Sequence, residues 1–157
     1  GIGFDGLMLF YKQQLNQDTQ ALQASFNQYL QSINFEFPIE PTYASASEAL
    51  LSHFKAPKWR QGITATATGF YGPQNRQIRA ASIIPDLFEQ VEPFEFKGLH
   101  LTNLEMETSA IFGLSNILGH NSLALNVILA NRRTGDFAAD HTAMEQLLIR
   151  SFFEDYC

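Results

Sequence analysis

Three short clusters carry the residue types best suited to chemistry: Phe70 with Gln74 and Arg76, then Glu105-Met106-Glu107, then Asn131-Arg132-Arg133-Thr134. The first presents a flat apolar ring, an amide and a guanidinium, a set that suits a flat polar heterocycle. Phe70 supplies a stacking or edge contact. Gln74 both donates and accepts, matching an adjacent N–H and C=O. Arg76 donates to a carbonyl oxygen and holds negative charge that develops there. The same residues also read as an ordinary polar surface loop. In the second cluster, an extended backbone turns Glu105 and Glu107 to one side and Met106 to the other. Paired acids at a strand end accept from vicinal hydroxyls, as on a sugar, or bind a metal. No histidine sits at ligand spacing, which discounts a transition metal. Glu107 also reads as an acid placed against a helix dipole. The two arginines of the third cluster either supply local positive potential or mark the surface.

Other chemistries drop out. His53, His100, His120 and His141 share no pattern with a nucleophile, and there is no G-x-S-x-G. No phosphate loop or G-x-G-x-x-G leads into a helix. Cys157, the single cysteine, is terminal, so it is neither a credible nucleophile nor part of an internal disulfide, which fits a reducing, cytoplasmic setting. A net charge of −6 argues against a nucleic-acid partner. Hydrophobic residues at 45% with charged residues at only 17% exclude disorder and provide for one core in 157 residues. No apolar stretch approaches the roughly 20 residues that span a bilayer. The chain opens Gly1-Ile2-Gly3-Phe4-Asp5-Gly6 without Met, and the expectation is part of something longer.

The elements that must position these clusters follow from periodicity and punctuation. Helices are expected over 18–30 with Asp18 as N-cap, through Phe54 from the capping box Ser45-Ala46-Ser47-Glu48, over 83–91, over 108–118 with Gly119 as stop, and from Asp140 or Thr142 to about 153. Residues 35–37 read as a short extended segment. Strands are expected over 61–70, 103–106 and 123–131, the last a near-continuous apolar run suited to a strand covered on both faces. This alternation implies an α/β fold with a sheet between helical layers. Ligands in such folds sit where strand ends meet loops: here after Thr68, at Glu105 and after Ala130.

The blocks Gly62-Ile63-Thr64-Ala65 into Phe70-Tyr71-Gly72-Pro73-Gln74-Asn75-Arg76, then Asn103-Leu104-Glu105-Met106-Glu107-Thr108, then Val127-Ile128-Leu129-Ala130-Asn131-Arg132 resemble the nucleoside phosphorylase superfamily in order and spacing, specifically its uridine phosphorylase branch. Two departures are the order Gly72-Pro73, reversed from the branch, and the added Arg133 and Asp136. The resemblance implies a three-layer mixed sheet flanked by helices, with residues 1–157 as the C-terminal part of a single domain lacking its N-terminal half. The phosphate-binding residues would lie in that half. It further implies that Gln74 and Arg76 read uracil, Phe70 packs against it, Met106 lies under the ribose and Glu107 accepts from its hydroxyls. Glu105 belongs with the substrate-binding set, and Leu129 and Arg132 help shape the base pocket. Gln74, Arg76 and Glu107 are the catalytic candidates. The implied reaction is phosphorolysis of uridine to uracil and ribose 1-phosphate, with phosphate as co-substrate and no metal or organic cofactor. A homo-oligomer is expected, and the isolated chain is expected to be inactive. A purine phosphorylase, a nucleosidase of the same superfamily and a non-catalytic nucleoside-binding module remain as alternatives.

Overall fold

A computed structural model of the chain describes every residue except Gln14, Gln77, Arg132 and Cys157. Among the described residues, five strands form one mixed sheet: β1 (Ile2–Gly3), β2 (Thr42–Tyr43), β3 (Ile63–Thr66), β4 (Glu95–Phe96) and β5 (Leu99–Glu105), in the order β2-β1-β3-β5-β4. The three inner strands run parallel, with Gly3 opposite Thr66 and Thr66 opposite Glu105. The edges are antiparallel and short, which limits the unpaired backbone a sheet edge presents. The β4–β5 hairpin turns at Lys97 and Gly98, both at positive φ, as a tight two-residue hairpin loop requires.

Alternation along the strands separates two faces. Ile2, Ile63 and Ala65 join Leu22, Phe26 and Leu30 of α1 (Gln17–Ser32) in the main core. Leu87 and Val91 of α3 (Leu87–Val91) close the same core, and Phe26 meets Phe94 edge-on at 4.8 Å. Phe35 and Phe37 contribute rings rather than strand pairing, Phe37 stacking on Phe4 at 4.5 Å. On the opposite face, Gly3 and Thr66 lie against α4 (Thr108–Leu118), so helices cover both sides and the expected three layers are present.

Helix boundaries shift where caps compete. Asn16, not Asp18, caps α1, its Oδ1 accepting from the Thr19 N–H and O–H, both at 2.8 Å, while Asp18 lies in the first turn. Ser47 caps α2 (Glu48–Leu51), which ends before the expected Phe54. Helix α4 matches its expected span and stops at Gly119 with φ 72°. Asp140 accepts from the Ala143 N–H at the start of α5 (His141–Tyr156).

The run 123–131 departs from expectation. Among the described residues it joins no strand, and it contributes only an isolated bridge between Ala130 and Phe137. An apolar run becomes a strand only where neighbours take its N–H and C=O groups, and the edge strands β2 and β4, two residues each, offer little backbone to pair with. Instead, the run borders a hollow of about 910 Å³ that also meets Ile63, Leu99, Met144 and Leu148. Helix α5 has no buried residue among those described. It is held at the 53–59 corner, where Phe54 stacks on Phe152 and Tyr156, Lys58 pairs with Glu154 and Asp155 at 3.1 Å, and Trp59 donates its indole N–H to Asp155.

Candidate functional site

Because β1, β3 and β5 are parallel and their last residues, Gly3, Thr66 and Glu105, stand side by side, their C-terminal ends open on one edge of the sheet. The ladder runs one step past each end: the Phe4 N–H donates to Thr66 C=O at 2.7 Å, and the Ala67 N–H to Glu105 C=O at 2.9 Å. The loop carrying Phe70, Gln74 and Arg76 and the turn carrying Glu105, Met106 and Glu107 therefore leave from adjacent strands at the same edge. The third expected exit, after Ala130, is not a strand end.

The loop after β3 is tightly wound. A 3₁₀ turn at Gly72–Gln74 is closed by Asn75 in the left-handed region, φ 58°, whose N–H donates to Gly72 C=O at 2.8 Å. The Gln74 and Arg76 N–H groups both donate to Tyr71 C=O, at 3.0 and 2.9 Å. This winding returns Arg76 over Phe70, with Cζ 3.8 Å from the ring centroid, while Tyr71 meets Phe70 edge-on at 5.4 Å. Phe70 is half exposed. Arg76 is partly buried, and neither its Nε nor Asn75 Oδ1 has a hydrogen-bond partner among the described residues. A buried orphan donor costs about 1–3 kcal/mol unless something accepts from it. Arg76 lines a hollow of about 270 Å³ with Tyr71, Ile78, Arg79 and Ser82. Gln74 is buried at 3% exposure and lines neither this hollow nor the larger one.

The acidic turn divides its two carboxylates. β5 ends at Glu105, so strand alternation stops there and Glu107 becomes the residue before α4. Glu105 Oε1 accepts from the Thr66 hydroxyl at 2.5 Å. Its Oε2 accepts from the N–H groups of Glu107 and Thr108 at 2.8 and 2.7 Å and from the Thr108 hydroxyl at 2.8 Å. Thr66 Oγ1 in turn accepts from the Ser109 N–H at 3.0 Å, and the Ser109 hydroxyl donates to Asp5. Glu107 is exposed, its Oε2 accepting from the Met106 N–H at 3.1 Å, and Met106 is 43% exposed. Neither lines the two hollows.

Of the remaining candidates, Leu129 is partly buried and its C=O accepts from the Ala138 N–H at 2.8 Å. Arg132 lies outside the described residues. Sequence reading missed Tyr71, Arg79 and Ser82 as lining residues, and Thr66, Thr108 and Ser109 as partners of the acids. The signal for the latter was a hydroxyl at each position where a strand end meets the first turn of α4. Among the described residues no three or more His, Cys, Asp or Glu gather as metal ligands do, and no helix is long and apolar enough to cross a membrane.

Comparison with protein families matches residues 11–152 to the phosphorylase superfamily. Comparison with curated proteins yields no match. Among solved structures, the chain is similar to a Trypanosoma brucei nucleoside phosphorylase described as showing uridine phosphorylase activity, with a TM-score of 0.69 and 26% identity over 95% of this chain and 53% of that one. The chain thus spans about half the length of that relative.

Proposed function

This chain belongs to the phosphorylase superfamily, and from that premise we propose that it supplies the base and ribose side of a uridine phosphorylase-like pentosyltransferase. The observation that carries this reading is Arg76: a guanidinium laid on the Phe70 ring, its buried Nε without a hydrogen-bond partner among the described residues, at the same sheet edge as the acidic turn.

In phosphorolysis a phosphate oxygen bonds to C1′ of the ribose as the C1′–N1 bond breaks. The bonding pair leaves with uracil, and the uracil anion then takes up a proton. Pyrimidines are hard to protonate, so charge develops on the carbonyl oxygens of the leaving base. Arg76 and Gln74 stabilise that charge as it forms, which lowers the barrier rather than merely tightening ground-state binding. Phe70 offers the base an apolar face, and Leu129 and Arg132 shape the pocket. Glu107 accepts from the ribose hydroxyls, and Met106 lies beneath the sugar. Ala130 and Asn131 offer no acid of the kind that would protonate a purine. Phosphate is the co-substrate, and no metal or organic cofactor takes part. A cytoplasmic homo-oligomer with sites shared between subunits belongs to the same reading.

The test is a binding panel followed by an assay. Titration with uracil and uridine should shift amide resonances in 70–76 and 105–108, whereas adenine and inosine should leave them unmoved. Equal or tighter purine binding, or shifts confined to other segments, would overturn the pyrimidine assignment. None of the residues assigned above holds phosphate, so the 157 residues alone should release no uracil from uridine with phosphate present. Phosphate-dependent release would refute that expectation.

A further inference from the structure

The two acids of the 105–107 turn do different work. An ionised carboxylate has about four lone-pair sites. Glu105 already takes four donors, which use up Oε2 and leave one site on Oε1: Thr66 on Oε1, and the Glu107 N–H, Thr108 N–H and Thr108 O–H on Oε2. The N-terminal N–H groups of a helix have no partners within the helix, and Glu107, in the N-cap position of α4, makes no side-chain cap bond. Glu105 takes the first of them, the Thr108 N–H, together with the N–H of Glu107 itself, while Thr66 Oγ1 takes the next, the Ser109 N–H. Its negative charge also lies at the positive end of the helix dipole. Through Thr66 it ties β3, β5 and α4 together at the point where the chain reverses into Met106 and Glu107.

We propose that Glu105 is a positioning residue that holds the Met106–Glu107 turn for ribose, rather than a group that itself binds the sugar. This rests on the preceding assignment of Glu107 to the ribose hydroxyls. With the turn pinned at the N–H groups of Glu107 and Thr108, the Glu107 side chain starts from one fixed backbone position. Without those bonds the turn must find other acceptors, and Glu107 loses its aim.

The experiment compares Glu105→Gln, Glu107→Gln and the double variant with the parent chain. Uridine and uracil affinities are measured together with hydrogen exchange at the Glu107 and Thr108 amides. Glu105→Gln should speed exchange at these amides by about tenfold or more and lower uridine affinity by about tenfold, as loss of charge-assisted hydrogen bonds does. Uracil affinity should stay unchanged, a split that general loss of stability does not produce. The double variant should bind uridine no more weakly than Glu107→Gln alone, because both changes remove one interaction. Unchanged exchange, or uridine losses that add, would overturn the proposal, and additivity would make Glu105 a direct ligand. Thr108→Val, which keeps shape while removing one donor, should show the same split at smaller size if Glu105→Gln fails to fold; an unchanged uridine-to-uracil ratio would overturn it. If the parent chain binds neither compound, the ribose and base assignment fails. The exchange result then decides the positioning role, lost protection supporting it and retained protection refuting it.

Discussion

At the scale of single residues, Arg76 is where folding and binding meet. Its guanidinium rests on Phe70, so the stem and plane are placed by packing, while the buried Nε has no acceptor among the described residues. Arg76→Ala should weaken uracil binding by about tenfold or more, the size expected for a hydrogen bond to a charged group. Arg76→Lys should not restore it, since an ammonium can neither lie flat on the ring nor offer a planar fork. Calorimetric titration of the three proteins with uracil measures this. Part of the loop was legible in the sequence because Phe70 and Arg76 are only six residues apart and one 3₁₀ turn winds the guanidinium back onto the ring. The sequence did not reveal that Gln74 is buried, which depends on how the loop lies on the rest of the chain. Nor did it separate the two acids. Alternation predicts a shared side only while the strand continues, and β5 ends at Glu105, whose side chain already takes the first N–H of α4.

At the scale of elements, legibility followed locality. Helix α4 was readable to the residue because its stop signal, Gly119, lies within the segment. The run 123–131 was not, since strand formation depends on partners elsewhere in the chain. The short strands β1, β2 and β4 are too brief to show a period at all. Contact between sheet and α4 sets a further demand. A Cβ added at Gly3 would stand 2.5 Å from Thr42 Oγ1 and 2.7 Å from Ser109 Cβ. Neither neighbour is the far end of a flexible side chain, so one of the two elements must move. Gly3→Ala should therefore destabilise the chain by about 1–3 kcal/mol, the usual cost of overpacking, read as a lower midpoint in urea with unchanged slope.

At the scale of the whole molecule, packing is uneven. One sheet face is sealed by α1 and α3, whereas the hollow of about 910 Å³ lies between the sheet, the 123–128 run and α5. Segments with few buried contacts open first, so α5 should detach before the sheet unfolds. Trp59, the single tryptophan, reports the event. Its indole N–H and then Lys58 hold the Asp155 carboxyl below its ordinary value of 3.8. A carboxyl with a depressed folded value contributes stability above the unfolded value and loses it as pH falls toward the folded one. Acidification below about pH 4 should thus red-shift Trp59 emission. Asp155→Asn should weaken the pH dependence of that shift, the Lys58–Glu154 pair supplying the remainder, and emission spectra across the acid range test both.

The middle place of β3 in the sheet bears on how such a chain comes off the ribosome. Its partners are Ile2 behind it and residues up to Glu105 ahead of it, so synthesis reaches β3 long before its second neighbour exists. In that interval the strand has one bare side, a template for pairing with other nascent copies. A chain interrupted before β5 keeps the Phe70 to Arg76 loop but has nothing to anchor its far flank, and should precipitate rather than persist as a smaller folded unit.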